Sequence, residues 1–158
     1  MTEYVPRLVD ALVADLMATA PAIMLTGPRA TGKTTTGLRH VVDAARLDRP
    51  GEAAAFLADP DVALAARPTP LLIDEWHVVP GVLGAVKRAV DADPRPGRYL
   101  ITGSVRADLD EQTWPGTGRL VRVPVWPLTQ RELGRRASGP GLLDRVMADG
   151  LDAVVDPS

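Results

Sequence analysis

Three short apolar runs limit what this chain can fold into more than any other feature of it. They are Ala22-Ile23-Met24-Leu25-Thr26, Pro70-Leu71-Leu72-Ile73-Asp74-Glu75 and Arg98-Tyr99-Leu100-Ile101-Thr102-Gly103-Ser104, and each stops at small, hydroxyl or acidic residues. A run of that length without polar alternation fits a strand buried on both faces, which belongs in a parallel sheet covered by helices on either side. Every isoleucine of the chain, Ile23, Ile73 and Ile101, falls in one of these runs, as the β-branched preference for sheets predicts. Segments of helical spacing lie between them. Strands alternating with helices predict an α/β fold in three layers, a parallel sheet with helices on both faces. Ligands of such sheets bind at the carboxyl ends of the strands.

The first run leads into Gly27-Pro28-Arg29-Ala30-Thr31-Gly32-Lys33-Thr34, followed by Thr35. This reads G-x-x-x-x-G-K-[ST], the phosphate-binding loop of nucleoside triphosphatases, in the strand–loop–helix setting that the motif requires. Glycines let the backbone curl so that successive N–H groups point inward at phosphate oxygens. Lys33 is placed to reach the β- and γ-phosphates, and the Thr34 hydroxyl to ligate Mg²⁺. Lysine is scarce here: Lys33 and Lys87 stand against sixteen arginines. A compact ammonium suits a phosphate cradle where a planar guanidinium does not fit.

At the end of the second run, Asp74 can reach the Mg²⁺ held by Thr34, directly or through water. Glu75 is then the candidate general base that polarises an attacking water. An acidic pair after a strand can also simply open a solvated loop; the phosphate loop forty residues earlier favours the functional reading. In the third run, Ser104, or Thr102 before it, can place a hydroxyl near the γ-phosphate or the water. Ser104 reads equally well as a turn or cap residue after Gly103.

Bulk properties narrow the field further. The chain has 158 residues, 46% hydrophobic and 24% charged, enough for one domain with its own core. With only 4% aromatic residues, that core rests on Ala, Val and Leu. A net charge of −2 gives no general attraction to nucleic acid. The absence of cysteine excludes disulfides, Cys-ligated zinc and a Cys nucleophile, and two histidines, His40 and His77, cannot form a His-rich metal site. No apolar stretch approaches the ~20 residues that span a bilayer. Charges at Glu3, Arg7, Asp10 and Asp15 are unlike a signal peptide, so a cytoplasmic protein is expected. The arginine count follows a composition skewed as in GC-rich genomes and is not read as a binding signature.

Spacing predicts the remaining elements. Val5, Leu8, Val9, Leu12, Val13 and Leu16 share one face of a helix over 4–18. A helix should follow the loop from Thr34 to about Arg46, with an ambiguous second strand around 44–48. Helices are expected over 52–58, 60–66 and 80–92, a loop over 106–118, and a strand over 120–125. Thr129-Gln130-Arg131-Glu132 is a capping box opening a helix to about Arg136. A last amphipathic helix is expected over 142–150.

Together these residues resemble a specific family, the AAA-type ATPase domain of bacterial and archaeal predicted ATPases that carry a C-terminal domain of unknown function. The stretches that carry the resemblance are MLTGPRATGKTT, LLIDEWHVVPGVLGAVKRAVD, YLITGS and GTGRLVRVPVWPLTQREL, from about residue 20 to 134. The resemblance implies a P-loop sheet of about five strands in the order 5-1-4-3-2, with ATP and Mg²⁺ as ligands. It places Ser104 at the sensor position. It makes Arg119 a candidate for contact with nucleotide phosphate or a neighbouring subunit, and Arg106 a weaker candidate for an arginine finger; the plainer alternative for both is a surface charge or ion pair. Two departures stand out. His77 follows Asp-Glu-Trp where the family more often has Gln, which changes the kind of contact that side chain can make with nucleotide or water. Family members also continue into the second domain. The expected organisation is therefore an ATP-binding domain over 1–136 and a short extension over 137–158, the start of a truncated second region.

Three functions fit. The first is a Mg²⁺-dependent ATPase in which Lys33, Thr34 and Asp74 hold the nucleotide and metal and Glu75 activates water. The second is a nucleotide-binding switch or remnant that does not hydrolyse. The third, a small-molecule kinase, ranks last because the acidic pair points to water as acceptor. A homo-oligomer or a protein partner is the expected assembly, without nucleic acid or membrane.

Overall fold

The computed structural model describes residues 4–103, 119–134 and 147–148. The chain divides into two compact units, one of Val9–Leu128 and one of Met1–Leu8 with Thr129–Ser158.

The larger unit is a parallel sheet with helices on both faces. Its elements run α1 (Val9–Met17), β1 (Ala22–Thr26), α2 (Lys33–Gly37), β2 (Asp43–Arg46), α3 (Pro50–Ala58), α4 (Pro60–Ala65), β3 (Leu71–Asp74), a 3₁₀ turn (Trp76–Val78), α5 (Gly81–Ala92), β4 (Tyr99–Thr102) and β5 (Leu120–Pro124). The five strands lie in the order β2-β3-β4-β1-β5, every pair parallel. Read from the other edge this is 5-1-4-3-2, as the sequence resemblance implied.

Alternation along the buried runs divides the core. Met24, Leu71, Ile73, Tyr99 and Ile101 face one side, where they pack with Phe56, Leu64, Val82, Leu83 and Val86 from α3, α4 and α5. Ile23, Leu25, Leu72 and Leu100 face the other, with Val13 of α1. Proline fixes the starts of α3 and α4, since its missing N–H falls where a helix has no partner for one. Asp59 caps α4, its Oδ1 accepting from the Asp61 and Val62 amides at 3.0 Å. The edge strand β2 is held by Arg67, whose guanidinium donates to both carboxylate oxygens of Asp43 at 2.7 and 2.9 Å.

Two expected helices are shorter than predicted. The helix after the glycine loop ends at Gly37 instead of running to about Arg46, and β2 follows at Asp43–Arg46. A Cβ on Gly37 would lie 2.9 Å from Leu72 Cδ1 and 3.1 Å from Leu100 Cδ2, so this position is a close approach of backbone to sheet. The first helix begins at Val9, not Tyr4, and of the face proposed for it Leu8 and Leu12 are exposed while only Val13 is fully buried.

In the smaller unit, the capping box forms as expected. The Glu132 amide donates to Thr129 Oγ1 at 3.2 Å and the Thr129 amide to Glu132 Oε2 at 2.7 Å, opening α6 (Gln130–Leu133). The other carboxylate oxygen of Glu132 accepts from Arg7 Nε at 3.0 Å and from the Leu8 amide at 2.8 Å. That amide is therefore spent on Glu132 and not on a helical turn. The expected loop over 106–118 lies outside the described residues, as does most of the expected last helix.

Candidate functional site

Thr26, Asp74 and Thr102 end β1, β3 and β4 on the same rim of the sheet, because the strands are parallel and in register, with Met24 opposite Ile101 and Ile101 opposite Ile73. The glycine loop starts there. Gly27 has φ 143, and a Cβ at that position would lie 2.3 Å from the carbonyl oxygen of Val125, the residue that follows β5. Ala30 (φ 59) and Gly32 (φ 87) are also left-handed, and the three together curl the backbone into a cradle before α2 begins at Lys33. Thr31 Oγ1 donates to the Pro28 carbonyl at 3.1 Å across the loop. Pro28, Arg29, Ala30 and Thr35 are exposed; Gly27, Thr31 and Lys33 are buried.

Lys33 folds back into this cradle, donating from Nζ to the carbonyls of Gly27 at 3.0 Å and Pro28 at 2.6 Å. Burial lowers its pKa, against the opposing pull of the Glu75 and Asp74 carboxylates. Both acids are thus close enough to act on the lysine charge.

Asp74 is buried, and its Oδ1 accepts from Thr34 Oγ1 at 2.8 Å and from Thr102 Oγ1. Its other oxygen lies 3.9 Å from Nε of Arg46, its register partner on β2. Glu75 turns the chain out of the sheet at φ 56, and Trp76 turns it back in, buried against Gly103, where a Cβ would lie only 2.5 Å from the indole Nε1. His77 Nδ1 is 3.3 Å from Glu75 Oε2.

The structure therefore brings together Gly27 to Thr34, Asp74 and Glu75. Ser104 and Arg106 lie outside the described residues. Arg119 is not brought to the loop. It precedes Leu120, the partner of Ala22, at the opposite end of the sheet, where its Nε pairs with Asp91 of α5 at 2.7 Å. A strand of that length separates it from Gly27, and the contact it makes is the ion pair with Asp91, the plainer of the alternatives raised for it. Arg46 and Trp76 were missed by sequence reasoning, and Thr102 was named only as the alternative to Ser104. Register would have found Thr102 and Arg46, since both are the strand neighbours of Asp74.

No three His, Asp or Glu side chains converge among the described residues. A metal at this rim would rest on the Thr34 hydroxyl, the Asp74 carboxylate and oxygens brought by a ligand. That donor set suits Mg²⁺, which commonly takes one or two protein oxygens and completes its shell with phosphate and water. No helix among the described residues is long and apolar enough to cross a membrane.

Two curated relatives are the uncharacterized protein Rv2008c of Mycobacterium tuberculosis and the uncharacterized protein Mb2031c of Mycobacterium bovis. Each is 34% identical over 125 residues, an overlap that covers 75% of this chain and 28% of the relative. The chain thus spans under a third of the length of the curated relatives it matches. The family model described as the AAA domain matches residues 19–134, from before β1 through the capping box of α6. With so much of the chain matched, it belongs to the family of AAA domains.

Proposed function

We propose that this chain binds Mg²⁺–ATP and hydrolyses it to ADP and phosphate. The observation that carries the reading is the 2.8 Å contact of Thr34 Oγ1 with Asp74 Oδ1, which joins the glycine loop to the acidic end of β3. Family membership supports it, since ATP is the ligand expected of an AAA domain. The loop fits a polyphosphate: Gly27 and Gly32 have backbone conformations that a side chain would oppose, and Lys33 is aimed into the cradle.

Each residue then has a task. Lys33 exchanges its two carbonyl contacts for β- and γ-phosphate oxygens. Thr34 and Asp74 hold the metal ion between them, and Thr102 keeps Asp74 oriented. The ion supplies charge neutralisation on the β- and γ-phosphates. Glu75 accepts a proton from water as the water oxygen bonds to the γ-phosphorus and the bond to the leaving ADP oxygen breaks. Loop backbone N–H groups, fixed before the reaction, face the charge that develops.

One observation favours a second reading, nucleotide binding without turnover by the isolated chain. Arg119 is held away from the loop, so an arginine from that position reaches the phosphates only across an interface with a second copy or another partner. Removing such an arginine lowers turnover by about 10³–10⁵-fold in related phosphoryl-transfer sites.

The test is Mg²⁺–ATP binding and phosphate release on the purified chain. Lys33→Ala should abolish binding, and Glu75→Gln should keep binding while release stops. Equal loss of binding in both variants contradicts these roles. Binding without release in the unmodified chain establishes the second reading.

A further inference from the structure

Glu75 and His77 are set against each other by the turn that joins them. Asp74 closes β3 inside the sheet and Trp76 is buried one residue after Glu75. The residue between two buried neighbours must reverse the chain, and Glu75 does so in the left-handed region at φ 56. Its side chain, 36% exposed, is left at the rim. Two attractions act on that carboxylate. One is the ammonium of Lys33, which its charge reaches. The other is the imidazole of His77, with Nδ1 3.3 Å from Oε2. That nitrogen is shielded from solvent and makes no aligned hydrogen bond to any described group. A buried imidazole nitrogen is costly without a partner, and a small rotation of either side chain would complete a bond to Glu75.

We propose that His77 is a positioning residue for Glu75. In the neutral ring the proton sits on Nδ1 and is donated to the Glu75 carboxylate. This tether stops Glu75 from collapsing onto the Lys33 ammonium, where it would compete with phosphate and be lost as a base. Held by His77, the carboxylate keeps one oxygen free to take the proton of water. The inference rests on Glu75 being the base proposed above.

Two measurements test it. The chain has only two histidines, so ¹⁵N spectra taken where the imidazoles are neutral are assigned by His77→Gln alone. His77 should hold its proton on Nδ1, and in Glu75→Ala should revert to the Nε2–H form that free histidine prefers. In the phosphate-release assay, His77→Ala should lower kcat about tenfold with KM within twofold. His77→Gln, whose amide is also a donor, should recover at least half of that loss. The proposal is overturned by Nε2–H at His77 in the unmodified chain, by an unchanged kcat in His77→Ala, or by a loss that glutamine does not recover. If Glu75→Gln leaves phosphate release intact, the reading of Glu75 as base fails, while the tautomer still decides whether His77 donates to it.

Discussion

Gly103→Ala tests whether the indole of Trp76 fixes the turn that carries Glu75. A methyl at Gly103 would lie 2.5 Å from Trp76 Nε1 and 2.6 Å from Cδ1, against an ordinary contact of about 3.5–4.0 Å. The ring must retreat by about 1 Å. It cannot do so freely, because it is 6% exposed and packed in one cluster with Val79, Val82 and Leu83. Overpacking of this kind costs about 1–3 kcal/mol. For a chain of this size each kcal/mol lowers Tm by roughly 2–4 °C, so a cost near the middle of that range gives a drop of about 4–8 °C. The same displacement moves Glu75, so phosphate release should fall while nucleotide binding persists. The control is Trp76→Ala, itself about 3–5 kcal/mol less stable from the lost ring. With no indole to meet, the added methyl should cost under about 0.5 kcal/mol in that background, leaving a coupling of about 1 kcal/mol or more. Calorimetry on the two single variants and the double variant measures it. An equal cost of Gly103→Ala in both backgrounds, or an unchanged Tm, refutes the contact.

Gly27→Ala should weaken Mg²⁺–nucleotide binding by at least about tenfold, because the new Cβ would meet the Val125 carbonyl at 2.3 Å at a φ of 143; equilibrium binding of a fluorescent ATP analogue reads it. At Glu132, burial raises the pKa but is outweighed by hydrogen bonds from the Thr129 and Leu8 amides, the Arg7 guanidinium and the Thr129 hydroxyl, which bring it from 4.5 to about 2. A folded value below the unfolded one means that the stabilisation is complete above pH 4.5 and is lost as the pH falls through about 2. Tm measured across that window should therefore fall more steeply with acid in the unmodified chain than in Glu132→Gln, and parallel curves would disprove the assignment.

The parts of this molecule that could be read from sequence are those fixed by local patterns. Ala22–Thr26, Leu71–Asp74 and Tyr99–Thr102 are strands where the apolar runs placed them, because a run buried on both faces has few other places to go. The glycine loop and the acidic end of β3 were legible for a similar reason, since motif and flanking strand agree. What failed depends on residues distant in sequence. Gly37, the last residue of α2, lies so close to Leu72 and Leu100 of two strands that a Cβ there would meet both, a packing relation that the local pattern does not contain. Helix α1 starts late because the Leu8 amide is taken by a carboxylate 124 residues away. Arg119 belonged to a recognisable Gly-Arg pair, but only strand direction says at which end of the sheet an arginine before β5 must lie.

Asp74 shows how closely the fold and the site depend on each other. A carboxylate this buried is costly unless donors meet it. Its donors come from strands that the chain order does not place together: Thr102 sits on β4, which lies between β1 and β3, and Thr34 follows the loop after β1. Arg46 stands on the other side, on β2. Because β4 pairs with β3, Thr102 stands beside Asp74 and donates to it. The strand order thus stabilises Asp74 inside the sheet, and the same contacts hold its carboxylate toward Thr34, where the proposed metal site lies. Sequence places Asp74 and Thr34 forty residues apart; the position of β4 between their strands is what gives the buried acid a second support.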